Sequence, residues 1–432
     1  MMAFYQCFPK ASLSEGGGPV GAEGSPLPDL LTNAIRKGGM AMRKAKIIIG
    51  CSYGDEGKGL ATAHAARRME GPCLNVLING GAQRGHTVDL PDGRRHVFHH
   101  FGSGLLAGAR SCADRDFIVN PMLFEQERAE LASEFALAPR LLASERCRVT
   151  TPWDMMLGQI IEENRGAARH GSCGCGIFET RLRFERTDWS LPLGRMAKLP
   201  WHGYRAYCRR IAGEYLPARL KALGMAAGGD WLPLLASEGL VEHSWEDLQA
   251  MLRHTDLYRD WPGMAAKWPN LLFEAGQGLA LDEFNTADAP HLTPSRTTSR
   301  VSAERIAALP GGADVEILYV TRSYLTRHGA GPLPTECPMA DIRPDIVDRT
   351  NVSNIHQQSL RYGRFDAGAV LERVGRDLAA AREVLPNVRN CAVVTHLNET
   401  GGALFGDMAL ADFVARFDRA MLSDCPWDVQ NY

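Results

Sequence analysis

Residues 46–59 read Lys46-Ile47-Ile48-Ile49-Gly50-Cys51-Ser52-Tyr53-Gly54-Asp55-Glu56-Gly57-Lys58-Gly59. A short apolar run ends in a glycine loop, and a helix-forming stretch, Lys58 to Met69, leaves it. That order aims backbone N–H groups and the positive end of a helix dipole at one point, which makes an anion site. The glycines let the backbone approach a phosphate closely, and Lys58 adds a point charge. The spacing is not the usual phosphate-loop spacing, because Asp55 and Glu56 stand where that loop has neutral residues. An acid inside an anion loop is costly unless it holds a metal ion or takes a proton. Taken alone, the segment also reads as a tight glycine turn carrying a solvated acidic pair. The G-x-G-x-x-G pattern of dinucleotide-binding folds is absent here.

Outward from this loop, strand and helix signals alternate. Apolar runs at Leu74–Asn79, Phe117–Asn120, Asn270–Glu274, Glu316–Val320 and Cys391–Thr395 read as strands. Thr87 to His99 reads as a hairpin turned by Pro91-Asp92-Gly93, and Pro121–Ala136 and Ala367–Glu383 read as helices. The alternation predicts an α/β fold: a doubly wound, mostly parallel central sheet of P-loop-like type. Residues 199–269 read as helical, with Trp201, Trp231, Trp245, Trp261 and Trp268, and predict a helical cap inserted on the sheet. Residues 1–43 read as a disordered tail, since Ser12 to Pro28 is rich in Gly, Ser and Pro and has no hydrophobic period. The catalytic unit is expected over 44–432.

Apolar content of 45% and charged content of 23% are ordinary for a globular protein. A net charge of -2 supplies no basic field for nucleic acid or for an anionic membrane. No apolar run approaches membrane-spanning length. The 11 cysteines are scattered, and the one close pair, Cys173 and Cys175, lacks the second pair a zinc site needs. Buried thiols in a reducing cytoplasm account for them.

Four blocks in order carry a resemblance. G-D-E-G-K-G at 54–59 follows a buried strand. Asn79-Gly80-Gly81-Ala82-Gln83-Arg84-Gly85-His86-Thr87 is similar to NGG-x-x-x-GHT. Phe273-Glu274-Ala275-Gly276-Gln277-Gly278, with Asp282 beyond it, is similar to FEGAQG followed by an aspartate. Thr326-Arg327-His328-Gly329-Ala330-Gly331-Pro332-Leu333-Pro334-Thr335-Glu336 is close to TR-x-GxGPFPTE. Together they resemble the adenylosuccinate synthetase family over Lys46 to Glu336, with weaker likeness to about Asn398. The resemblance implies a cytoplasmic, homodimeric ligase in which a nucleoside triphosphate phosphorylates the 6-oxygen of IMP and the amine of aspartate displaces the phosphate. It implies Asp55 as base and Mg²⁺ ligand, Gly85 as carbonyl ligand to that metal, His86 as general acid, and Gln277 on the purine. Gly54, Glu56, Gly57, Lys58, Gly59, Gln83, Thr87, Ser172, Cys173, Thr293 and Asn398 are the matching phosphate and nucleotide positions. Such chemistry is intelligible, because a lactam oxygen is a poor nucleophile until N1 loses its proton.

The chain also departs from the family. Its GTTGRG loop appears as Gly171-Ser172-Cys173-Gly174-Cys175-Gly176, where Cys173 is a weak donor in place of threonine. Arg181 or Arg183 is the candidate for the arginine that reaches across the family's dimer interface. The arginine-rich loop that holds the aspartate carboxylates appears as Asn354 to Asp366, with Gln358 and Leu360 where arginines are expected; Arg361, Arg364 or His356 remain to compensate. The guanine-reading T-K-x-D appears as Thr395-His396-Leu397-Asn398, and asparagine presents a donor where guanine needs an acceptor, so ATP stands beside GTP. The end at Tyr432 predicts no counterpart for the family's C-terminal residues around the guanine. These last traits resemble the phage 2-aminoadenylosuccinate synthetases, which use dGMP and ATP but have lost the acid that this chain keeps as Asp55. Two alternatives stand beside IMP and aspartate: a ligase for another purine nucleotide or amine, and a nucleotide-binding protein without turnover.

Overall fold

Ile47, Ile48 and Ile49 have no solvent exposure. Ile47 and Ile49 pack into one apolar cluster and Ile48 into another, as a strand covered on both faces requires. The computed structural model describes residues 42–346 and 359–432. Of the tail expected over residues 1–43, residues 1–41 lie outside the described residues, as do Asn354, His356 and Gln358, whereas Arg43 is buried and donates to the carbonyls of Trp268 and Gly312.

The main sheet has ten strands. In chain order they are β1 (Lys44–Gly50), β2 (Cys73–Leu77), β3 (Arg110–Ala113), β4 (Leu141–Ser144), β5 (Thr255–Tyr258), β6 (Asn270–Gly278), β7 (Asp314–Arg322), β8 (Arg389–Thr395), β9 (Arg419–Leu422) and β10 (Gln430–Asn431). Their spatial order is β10-β9-β8-β7-β1-β6-β2-β3-β4-β5. Every neighbouring pair is parallel except β9 with β10. The expected α/β architecture is therefore present, with helices on both faces.

Helix α1 (Lys58–Arg68) follows β1, and α2 (Pro121–Phe135) begins with proline in its first turn. Beyond these lie α3 (Pro152–Arg165), α4 (Ile177–Phe184), α5 (Glu238–Arg253), α6 (Ser299–Ala307) and α7 (Ala367–Arg382), which spans the β7–β8 crossover. The expected hairpin is present as His86–Asp89 paired antiparallel with Arg95–Phe98. Two expectations need correction. The strand around Phe117 is only Ile118–Val119, which pairs with Arg148–Val149 outside the main sheet. The stretch 199–269 is helical through α5 but then supplies β5, the edge strand of the sheet. Trp201, Trp231 and Trp245 pack with the cluster under α3, whereas Trp261 and Trp268 sit in the central core.

Arg183 is fully buried, so it cannot reach out of the molecule. Its Nε and Nη2 donate to Asp154 at 2.8 and 2.7 Å, and Nη2 also donates to the Val149 carbonyl at 2.9 Å. Asp154 in turn closes a capping box with Thr151 at the start of α3. Arg183→Ala leaves that carboxylate buried and unpaired, and is expected to destabilise the fold by roughly 3–5 kcal/mol. Urea denaturation followed by circular dichroism measures it, and a loss well below that range would show the pair to be dispensable.

Candidate active site

Because the strands are parallel, the loops after β1, β2, β6, β7, β8 and β9 all emerge on one side of the sheet. That is where ligands bind in open α/β folds. They surround an open cleft of about 1510 Å³. Gly54, Asp55, Glu56, Gly57, Lys58, Gly59, Gln83, Gly85, His86, Thr87, Ser172, Cys173, Gln277, Thr293 and Asn398 all line it. Arg361 and Arg364 do not.

The loop after β1 turns on backbone conformations that side chains rarely adopt. Gly57 has φ +90°, and even Asp55 lies at φ +54°. Gly59 has no room for a side chain, since a Cβ there would stand 2.3 Å from the Thr87 carbonyl oxygen. The loops after β1 and β2 are thus pressed together. No side chain caps α1, so its first amides stay available to an anion.

Charges in this loop are arranged in pairs. His328 Nε2 lies 3.2 Å from Asp55 Oδ2, and Arg322 donates from Nε to the Asp55 carbonyl. Burial opposes ionisation of Asp55, but His328, Arg322 and Lys58 outweigh it and hold the carboxyl well below the usual range. Glu56 behaves oppositely. Its Oε1 accepts from the Ser52 amide at 2.5 Å and its Oε2 lies 3.7 Å from Lys58 Nζ, yet burial pushes it up to about 7.

After β2, His86 places Nδ1 2.6 Å from Glu274 Oε1, midway along β6. Glu274 is fully buried and also accepts from Ser103 Oγ at 2.5 Å and Ser103 N at 3.1 Å. Burial alone would protonate Glu274, but Arg84, His86 and Ser103 keep it below the usual carboxylate range. Burial and then the Arg84 cation push His86 down to about 4, so the ring is neutral at neutral pH. A bulge between Ile48 and Gly50 sets Gly50 beside Gly278, which brings Gln277, at φ +67°, over the first loop. Gln83 lines the same wall with Oε1 buried and without a partner among the described residues.

At the opposite wall, the amides of Gly171 and Ser172 donate to Glu162 Oε2 at 2.9 and 3.3 Å. A carboxylate therefore already sits on the glycine loop's donors. Arg181 lines the cleft and pairs with Glu283. Arg361 is engaged by Glu336, with Nε donating at 2.8 Å, and by the carbonyls of Gly329 and Gly331. Arg364 stacks over the Phe405 ring at 5.0 Å. The cleft contains residues that the pattern of the chain did not single out: His328, Arg322 and Arg84, and Ser423, Cys425, Pro426 and Trp427 from the chain end. The last four come from the loop after β9. β9 runs parallel to β8, so the loop after it arrives beside Asn398, where Leu397 N donates to the Ser423 carbonyl at 3.2 Å.

A cleft at the carboxyl end of a parallel sheet, joining a phosphate-cradling loop to an ionised carboxylate and a carboxylate-backed histidine, defines a nucleotide-dependent enzyme. The family model of adenylosuccinate synthetase matches residues 47–188 and 241–379. The chain belongs to that family and is a C–N bond-forming ligase. Among curated relatives, the adenylosuccinate synthetase of Thioalkalivibrio sulfidiphilus is 28% identical over 355 residues, covering 77% of this chain and 74% of that one. That of Heliobacterium modesticaldum is 30% identical over 327 residues, 74% of this chain and 72% of its own. Two solved structures share the fold. The fully ligated adenylosuccinate synthetase of Plasmodium falciparum has a TM-score of 0.60 at 16% identity, over 82% of this chain and 77% of that one. The succinoaminodeoxyadenylate synthetase of cyanophage S-2L, bound to dGMP and to dATP as energy donor, has a TM-score of 0.59 at 15% identity, over 90% and 96%.

Glu56 gives a pH test of this charge arrangement. A carboxyl at about 7 when folded and near its ordinary value when unfolded makes the fold less stable as pH rises through that interval. Glu56→Gln removes the effect, so its stability relative to the parent should rise between pH 5 and pH 8 by on the order of 2 kcal/mol. Calorimetric melts across that range would show a widening gap; a flat difference contradicts the assignment.

Proposed function

We propose that the enzyme phosphorylates the 6-oxygen of an IMP-like nucleotide from a nucleoside triphosphate and displaces that phosphate with an amine, by default that of aspartate. The observation that carries this is the meeting in one cleft of Asp55, Lys58, Gln277 and a His86 backed by Glu274, delivered by three strands, β1, β2 and β6. Asp55 takes the N1 proton as O6 attacks the γ-phosphorus, and the bond from that phosphorus to the β-phosphate oxygen breaks. Lys58 and the first amides of α1 hold the phosphates, and His86, held through Nδ1 by Glu274, serves the transferred group. Gln277 orients the purine. The amine nitrogen then attacks C6, and the oxygen leaves with its phosphate.

Mg²⁺ fits the donors present. Asp55 offers an ionised oxygen and Gly85 a carbonyl on the same cleft, and among the described residues no group of three or more His, Cys, Asp or Glu side chains competes for a transition metal. Such a hard ion takes one or two protein oxygens and completes its shell with phosphate and water. When bound it would neutralise charge between the β- and γ-phosphates. The Ser172–Cys173 amides and Thr293 are the monophosphate contacts. We expect a homodimer in the cytoplasm acting on small molecules, and no described helix is long and apolar enough to cross a membrane.

One observation favours a second reading, in which the amine is not a dicarboxylate or the nucleotide is another purine such as dGMP. Arg361 is already satisfied by Glu336 and two carbonyls, so it offers no bidentate fork to an incoming carboxylate.

Phosphate release with Mg²⁺, comparing ATP and GTP against IMP, GMP and dGMP with and without aspartate, tests both readings. Release requiring IMP and aspartate supports the first; nucleotide-dependent release indifferent to aspartate supports the second; none with any pair overturns both. Asp55→Asn should lower turnover by at least about 10²-fold while triphosphate binding persists, and unchanged turnover would sink the mechanism. For base selection, Asn398→Asp should shift preference from ATP toward GTP by roughly tenfold or more, read as the ratio of kcat/KM values. An unaltered ratio would remove Asn398 from base recognition.

A further inference from the structure

Tyr324 lies just beyond β7, is buried, and enters no step above. Its hydroxyl accepts from Arg322 Nη1 at 2.8 Å and donates to Glu399 Oε2. Arg322 in turn donates from Nε to the Asp55 carbonyl. A planar guanidinium bound through two of its nitrogens keeps one orientation, so these bonds form a stiff strut from Asp55 to Glu399. Glu399 ends the short helical turn Leu397–Glu399 after β8, and it lines the cleft beside Asn398.

The β8 end touches the first loop a second time. The Thr395 hydroxyl lies 2.9 Å from the Glu56 carbonyl, and the Thr395 methyl group occupies the space that a side chain on Gly57 would need. The successive carbonyls of Asp55 and Glu56 are thus both held from the β7 and β8 side of the cleft. Asp55 needs such holding. At φ +54° it sits in the left-handed region, which a residue other than glycine keeps only where its surroundings fix it. Packing alone does not call for the Tyr324 hydroxyl, since a phenyl ring fills the same space and brings no buried oxygen to satisfy.

We propose that Tyr324 is a positioning residue: through Arg322 it ties the turn that meets the nucleotide base to the backbone of Asp55, so that a seated base fixes the carboxylate for the acceptor. This rests on the roles proposed above for Asp55 and Asn398. The phosphate tail orders the first loop directly, through Lys58 and the first amides of α1, whereas the base acts on Asp55 through the strut. A base that the turn holds poorly therefore lowers kcat as well as affinity.

Hydrogen exchange of the full-length protein, read on peptides covering residues 51–60, reports the order of the first loop without turnover. MgATP and MgGTP are compared with magnesium tripolyphosphate, which has the tail and no base. In the parent, the better-bound nucleotide should slow exchange at least about threefold beyond tripolyphosphate. In Tyr324→Phe that excess should vanish while the tripolyphosphate effect remains. In steady state, Tyr324→Phe and Glu399→Leu should each lower kcat about tenfold with little change in KM for the acceptor nucleotide, and the double variant should fall no further than the worse single one. Glu399→Gln, whose amide oxygen still accepts from the hydroxyl, should lose much less. An equal excess in the parent and Tyr324→Phe, no excess in the parent, or losses that multiply in the double variant overturns the proposal. A lowered melting temperature with excess and kcat intact overturns it too, and makes Tyr324 a structural residue only. If the excess depends on Tyr324 but no nucleotide pair yields phosphate, the ligase reading fails and the strut stands. If phosphate release is as proposed but the excess ignores Tyr324, the strut fails and the ligase reading stands.

Discussion

Parallel pairing of β1 with β6 and β7 is the constraint on which the site depends. Residues of the three strands pair in near-continuous register from Lys44, Asn270 and Asp314 onward, so Gly50 ends β1 beside Gly278 and Val320, two residues before β7 ends at Arg322. The glycine loop, the Gln277 turn and the segment leading to His328 therefore start from neighbouring points. A single register shift would carry Glu274 away from His86 and invert the faces of Ile47 and Ile48. The bulge at Ile48/Gly50 is the one irregularity, and it sits where Glu56, Lys58 and Gln277 must crowd around Gly50. A bulge beside a site re-aims side chains at the cost of local pairing.

What could be read from the chain follows from burial. β1, β2, β6, β7 and β8 are covered on both faces, so they appear as continuous apolar runs and were legible as such. β3, β4, β5 and β9 have four residues each and mix polar with apolar positions, as in Arg110–Ala113 and Thr255–Tyr258. Nothing periodic distinguishes them from helix or loop at that length. Their existence follows from the sheet growing outward rather than from local pattern. β9 carries a functional consequence, since it delivers Ser423 to Trp427 to the cleft.

The motif residues were legible because the blocks hold fixed spacing; their partners were not. His86 and Glu274 are 188 positions apart, and Asp55 and His328 meet only because β1 and β7 are adjacent. Glu274 stood in a recognised block, yet its role as the acceptor behind His86 needed the fold. Conversely, Arg183 resembled an exposed interface arginine in sequence, and only burial against Asp154 shows it to be structural. Arg361 and Arg364 were selected as replacements for missing arginines. Both are occupied locally, which is invisible to spacing arguments.

These pairings share a physical cause. Cations and amides gathered to receive phosphates and carboxylates cannot remain uncompensated in a half-buried cleft. In this molecule internal acids meet them: Glu162 on the Gly171–Ser172 amides, Glu56 near Lys58, Glu336 on Arg361 and Glu274 beside Arg84. On the function proposed above, substrate binding at the first two would be an exchange of one anion for another, so affinity there would depend on the difference between ligand phosphate and protein carboxylate. Doubly charged phosphate gains most where the carboxylate is held weakly. Glu56, half protonated near neutrality, can give way to a phosphate by taking up a proton, without moving. Glu336 forms two bonds to Arg361 and yields only if a ligand offers as much, so an unanchored monocarboxylate would not displace it. On that proposed function, selectivity among nucleotides and amines would be set by the internal acids as much as by the cations they neutralise.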